Sequence, residues 1–209
     1  MTKHRKKEEW VAEILDAAAT QIMKEGYSNL TMEAIAARTS LSKGGVYRYF
    51  GNKRDVAMAL FQRVYKNSTD FDFEEILAWN TSIEETIRRM LVVRREAEQV
   101  RQDHNIWVQL IPETLWDEGF RQERVRLFQL ILDKFEELIR RIAARDGLVI
   151  PPDRDSEFKR YVYLGMVLRE GMTFQSVLGL PIEAQGELYR HFVSVFVREV
   201  FGDQVVSRS

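Results

Sequence analysis

The 209-residue chain is 45% hydrophobic and 30% charged, which suits a packed core under a solvated surface, and its net charge is −1. It has no cysteine, which excludes disulfides, thiol catalysis and cysteine-bound zinc. No apolar run approaches the roughly 20 residues of a membrane span, and the basic start MTKHRKKEEW lacks the apolar stretch of a secretory signal, so a cytoplasmic protein is expected.

Helical periodicity runs through nearly the whole chain, with no sustained period-two alternation and no hairpin turn between apolar runs. The first helix is expected from about Glu8 to Glu25, with Val11, Ile14, Leu15, Ala18 and Ile22 on one face and Gly26 as its stop. A second starts at Thr31, whose hydroxyl suits a cap, with Leu30 and Ile35 placed as a hydrophobic staple. A third repeats the arrangement, with Ser42 as cap and Leu41 set to staple onto Val46. Two capped helices across so short a turn make a helix-turn-helix.

A fourth helix is expected over residues 52–67, followed by a linker around 68–72. The body beyond it reads as helices over Ser82–Arg101, Asn105–Ile111, Gly119–Arg145, Asp155–Leu178 and Ile182–Phe201. Asp146-Gly147 reads as a helix stop, and prolines 112, 151, 152 and 181 mark breaks. The expected division is a small domain with its connecting helix, residues 1–67, and a larger body, 68–209.

Residues 1–55 carry ten Lys/Arg against seven Asp/Glu, while the remainder carries 21 against 25. A basic first quarter on an acidic body fits nucleic-acid contact through the N-terminal part. Within it, Ser42, Lys43, Gly44 and Gly45 form a first helical turn whose unpaired N–H groups suit phosphate. The two glycines allow close approach of a partner's backbone. Lys43 suits a base edge or a phosphate, Tyr47 and Lys53 suit phosphates, and Val46 and Phe50 face inward. Spacing alone is equally compatible with a helix-turn-helix that binds no DNA.

The stretch from Ile14 to about Leu60 resembles the DNA-binding domain of the TetR family of bacterial transcription regulators. The resemblance is carried by Ile14-Leu15-Asp16-Ala17-Ala18, Gly26-Tyr27, Leu30-Thr31-Met32, Ile35-Ala36 and the run Leu41-Ser42-Lys43-Gly44-Gly45-Val46-Tyr47-Arg48-Tyr49-Phe50, with Asn52-Lys53, Val56 and Leu60. It covers about a quarter of the chain. It implies an all-α protein: an N-terminal three-helix, homeodomain-like DNA-binding domain and a larger helical domain for ligand binding and dimerisation. It also implies that Thr31, Tyr47 and Lys53 hold the DNA backbone while Lys43, Gly44, Gly45 and Arg48 or Tyr49 lie against bases. One departure stands out. The family usually has Ala-Gly in the turn; here it is Thr39-Ser40, and a left-handed backbone at Ser predicts slight strain. Lys3, Arg5, Lys6 and Lys7 form a basic tail that either reaches DNA or is simply solvated.

The resemblance further implies a homodimer on a palindromic operator, joined by the last two helices. Those helices are apolar around much of their circumference, with Tyr161, Gly165, Leu168, Leu188, Phe192, Val195 and Phe196 as interface candidates, although burial within one chain explains them equally. Rings and thioethers concentrate in the middle of the chain. Trp79, Trp107, Leu110, Trp116, Phe120, Phe128, Tyr163, Met166 and Glu170 are candidates for a pocket taking a small apolar or aromatic effector, with Phe174, Met90 and Met172 among the same rings and thioethers and Arg94, Arg101 and His104 as further polar candidates. No cofactor is implied. The three histidines have no metal-ligand spacing, and neither a phosphate loop nor a nucleophile elbow occurs, so an enzyme is not expected. The reading is a repressor released from DNA by a small molecule; the alternative is a DNA-binding regulator controlled by a protein partner or by no effector.

Overall fold

A computed structural model describes residues 6–69, 72–92, 98–179, 182–202 and 204, and every regular element among them is helical. They are α1 (Lys7–Glu25), a 3-10 turn (Tyr27–Asn29), α2 (Met32–Ala36), α3 (Lys43–Tyr47), α4 (Lys53–Thr69), α5 (Phe73–Leu77), α6 (Ile83–Val92), α7 (Glu98–Leu110), α8 (Glu113–Trp116), α9 (Glu118–Arg145), a 3-10 turn (Pro152–Arg154), α10 (Asp155–Val177) and α11 (Ile182–Phe201). Lys3, Arg5, Arg94 and Pro181 lie outside the described residues.

The chain divides into two compact units, one of Met1–Ser68 with Gln102–Val125 and one of Thr69–Arg101 with Arg126–Ser209. In the first, Ile14, Ala18 and Ile22 of α1 share a core with Leu30, Ile35, Val46, Val56 and Leu60, all with no exposed surface. Local chemistry sets the helix ends. Gly26 adopts φ 82° and its amide donates to the Ile22 carbonyl at 2.8 Å, which closes α1. Thr31 caps α2 by accepting from the Ala34 amide, Ser42 caps α3 by accepting from the Gly45 amide, and Asn52 accepts from the Asp55 amide at the start of α4.

Residues 102–125 pack as part of this head. Phe61 of α4 meets Tyr65 and the edge of Phe120, at ring-centre distances of 4.9 and 5.7 Å. The Trp107 indole donates to the Tyr65 hydroxyl at 3.2 Å, and the Asn67 amide donates to Asp103 at 2.9 Å.

Two short helices, α5 and α8, fall where no helix is expected from periodicity. Asp72 caps α5 by accepting from the amides of Glu74 and Glu75. Pro112 sits at the start of α8 with φ −59°, already suited to a helix. Of the helix expected over Ser82–Arg101, the described residues are helical as α6 up to Val92 and as α7 from Glu98; residues 93–97 lie outside the described set.

In the second unit α11 packs beside both α6 and α10. Gly165 of α10 lies beneath the Phe192 ring of α11, where an added Cβ would come within 3.0 Å of Cε1. Arg145, near the end of α9, closes the other side. It donates to the carbonyls of Trp79 at 2.8 Å and Thr81 at 2.6 Å, and it pairs with Asp146 at 2.6 Å. These carbonyls lie between α5 and α6, where no helical ladder satisfies them. Arg145→Ala should therefore cost this unit about 2 to 3 kcal/mol by orphaning part-buried acceptors, read as a lower urea midpoint for its transition.

Candidate nucleic-acid interface

The helix-turn-helix turn contains no strained residue. Among the described residues no non-glycine has positive φ, so the strain expected at Thr39-Ser40 is absent. The reason lies 27 residues away: the Glu13 carboxylate of α1 accepts from the Ser40 amide at 2.6 Å and from its hydroxyl at 2.7 Å. Thr39 adds a local tie, donating to the Ala36 carbonyl while accepting from the Leu41 amide. Glycine is unnecessary where side chains hold the turn in ordinary backbone space.

Helix α3 is one turn long and has a clear inner and outer side. Val46 is fully buried, whereas Ser42, Lys43, Gly44, Tyr47 and Arg48 are exposed and Gly45 and Tyr49 half-buried. The two glycines serve different ends. An added Cβ at Gly45 would meet Leu41 carbons at 3.2 Å, so Gly45 makes room for the residue that packs over the helix start. At Gly44 nothing lies within 4 Å, leaving its backbone open to a partner.

Exposed Thr31 and half-buried Lys53 complete the rim. Thr31 is exposed while capping α2. The Lys53 ammonium donates to the Ser28 carbonyl at 3.1 Å and lies 5.2 Å from the centre of the Tyr27 ring, which orients it without neutralising it. Lys43 differs. Its ammonium is 2.5 Å from a Glu33 carboxylate oxygen on α2 and 5.9 Å from the centre of the Tyr47 ring. The hydrogen bond between the pair raises the Lys43 pKa and lowers that of Glu33, so both stay charged at neutral pH.

A second ion pair fixes the start of α4. Arg54 grips Asp117 with two nitrogens, Nη2 donating to Oδ1 at 2.7 Å, and Asp117 also accepts from the Phe120 amide as α9 begins. Gly119 makes this possible, since a Cβ there would lie 2.5 Å from Arg54 Nη2. The Arg54 hydrogen bonds hold the Asp117 pKa far below the usual carboxylate range. Neither Glu13 nor the Arg54–Asp117–Gly119 set stands out in the sequence, because each acts through a partner distant along the chain.

The ring-rich pocket candidates do not form one cluster. Trp107, Leu110, Trp116 and Phe120 belong to the first unit, where Leu110 and Phe120 are core and Trp116 is 85% exposed. In the second unit Trp79 carries the Arg89 guanidinium over its ring, Phe128 abuts Tyr163, which is half exposed, and Glu170 is half-buried. Of the expected rings and thioethers, Met90 and Met166 line an apolar recess of that unit, with Ile87, Phe135, Ile139 and Val162. The recess is small, about 40 Å³, and among the described residues no charged one lines it.

Four interface candidates, Tyr161, Gly165, Phe192 and Phe196, also line this recess. Leu168 and Val195 are half-buried and Leu188 is exposed. The uncovered apolar stripe on α10 is formed instead by Leu164, Val167, Phe174 and Leu178, spaced three or four apart with Gly171 between.

Residues 14–60 match the family model described as bacterial regulatory proteins, tetR family. The fatty acid metabolism regulator protein of Bacillus subtilis (strain 168) is 29% identical over 94 residues, 45% of this chain and 47% of that protein, so the chain aligns with about half its length. The whole fold is similar to Salmonella enterica GusR, with TM-score 0.72 and 11% identity over 94% of this chain and 100% of that one. It is also similar to a transcriptional regulator from Saccharomonospora viridis solved with choline, at TM-score 0.68 and 19% identity over 92% and 97% of the two chains.

Because the Asp117 pKa is depressed in the folded state, its contribution is complete above the ordinary carboxylate pKa near ~4 and disappears only as pH falls through the lowered value. Asp117→Asn should lower the melting temperature at pH 7, and the gap to the unaltered protein should close only in strong acid, as a pH series of thermal melts will report.

Proposed function

We propose that the chain, whose residues 14–60 match the tetR family model, is a DNA-binding transcription regulator of that family, acting as a homodimeric repressor whose grip on a palindromic operator is loosened by an uncharged, apolar small molecule. The observation that carries the DNA-reading part is the two-sidedness of α3: Val46 is buried, while the Ser42-capped first turn with Lys43 and Gly44 is open to a partner. Such a turn offers free N–H groups and a cation to phosphates and base edges. In this reading Thr31, Tyr47 and Lys53 hold the backbone, and Lys43, Gly44, Gly45, Arg48 and Tyr49 face the bases. The chain divides functionally near residue 67 into a reading head and a regulatory body.

Pairing of subunits is supported by the exposed α10 stripe of Leu164, Val167, Phe174 and Leu178, an apolar surface that a second copy would cover. The effector's chemistry is supported by the recess. Its walls are hydrocarbon, rings and the thioethers of Met90 and Met166, which yield readily to a guest. Among the described residues no carboxylate lines it to pair with a charged amine. The name of the Bacillus subtilis relative, a fatty acid metabolism regulator, accords with a hydrocarbon-lined site. Release then follows if the occupied body favours a spacing of the two heads that no longer matches successive major grooves. The head's second anchor, residues 102–125 along α4, gives that coupling a route.

Two outcomes test the reading. On operator fragments recovered from genomic DNA, Tyr47→Ala and Lys53→Ala should weaken binding to every sequence, whereas Lys43→Ala should also change the preference among sequences; anisotropy titrations against matched and random duplexes separate the two patterns. Met166→Trp, which fills the recess, should leave operator affinity intact but remove release by a panel of uncharged long-chain alcohols. Release by the matching charged amines alone would overturn the effector assignment.

A further inference from the structure

We propose that Glu33 is a specificity-determining residue, an internal carboxylate that occupies Lys43 until a DNA site offers the ammonium something better. The inference rests on Lys43 facing DNA. Among the described cations placed on the reading surface, Lys43, Arg48 and Lys53, Lys43 alone is paired with a carboxylate, at 2.5 Å from Glu33. Lys53 gives its ammonium to a neutral carbonyl and a ring, and Arg48 meets no carboxylate. Glu33 also stands in the first turn of α2, where the helix N-terminus favours its negative charge, so it remains ionised on the face that approaches the duplex.

The consequence differs with the DNA. A random sequence offers Lys43 only phosphates, and taking one requires breaking the Glu33 pair or leaving a carboxylate beside the polyanion. A matched site offers a base acceptor, such as guanine O6 and N7, whose directed hydrogen bonds replace those to Glu33. The pair therefore subtracts more from random binding than from matched binding. Discrimination is gained by penalising the wrong partner and not by adding a contact to the right one. Both side chains are more than half exposed, so the exchange needs no rearrangement of the backbone.

The experiment is a double-mutant cycle of Glu33→Gln and Lys43→Ala, each purified as the full chain and checked for unchanged melting. Binding is measured by anisotropy on the selected operator and on random duplex across a salt series. Glu33→Gln should tighten random binding several-fold more than operator binding, and steepen the random-DNA salt slope by about 0.9, one additional phosphate contact. That gain should shrink roughly 3.5-fold between 50 and 200 mM salt, and it should vanish in the Lys43→Ala background. Equal gains on both DNAs, no gain, or a gain that survives Lys43→Ala would overturn the proposal. If Lys43→Ala by itself changes binding to neither DNA, the placement of Lys43 against DNA fails instead, and the proposal fails with it.

Discussion

A five-residue helix closes barely one turn, and nucleating that turn in isolation costs more than it returns. Helices α2 and α3 are both five residues long. Their shape is therefore borrowed from burial: Ile35 and Val46 sit without exposed surface among Ile14, Ala18 and Ile22 of the much longer α1. Each end is then fixed by a side chain, Thr31 and Ser42 at the starts and Glu13 across the turn between. Everything that faces outward from α3 takes its position from what faces inward.

The same dependence extends along α4. Phe61 and Tyr65 turn one side of that helix toward Trp107 and Phe120, and Arg54 locks its beginning to Asp117 where α9 starts. The head is thus a composite of an N-terminal segment ending at Ser68 and a second segment beginning at Gln102. Events that shift residues 102–125 are felt at Lys53 and Arg54 through packed rings and a two-pronged ion pair, both of which resist gradual deformation. The connecting helix is braced over its length.

Local features were legible in the sequence because their causes are local. Gly26 as a stop, Thr31 and Ser42 as caps, and the inward face of α1 all depend on residues within one or two turns, and each stands where spacing puts it. The pocket was not legible. Ring density told that large side chains were plentiful, but not which helices would meet, and no periodicity encodes the pairing of residues 102–125 with α4. Hence Trp107 and Phe120 serve the head, Trp116 faces solvent, and Phe135 lines the recess unannounced beside the expected Met90 and Met166. The strain expected at Ser40 failed for the same reason, since its remedy is a carboxylate on another helix. The last two helices read as apolar on most sides, and only three-dimensional packing sorts Tyr161 and Phe192 to the recess and Leu164 and Phe174 to the surface.

The two adjacent glycines of α3 look interchangeable in the sequence but are subject to different pressures. Gly45 is held by the Leu41 side chain above it, so replacement there disturbs the fold of the head; at Gly44 a new side chain meets only open space. Folding and reading are thus assigned to neighbouring positions and can drift independently. If position 44 faces DNA as proposed, a side chain placed there would alter what α3 meets while leaving the packing of the head untouched.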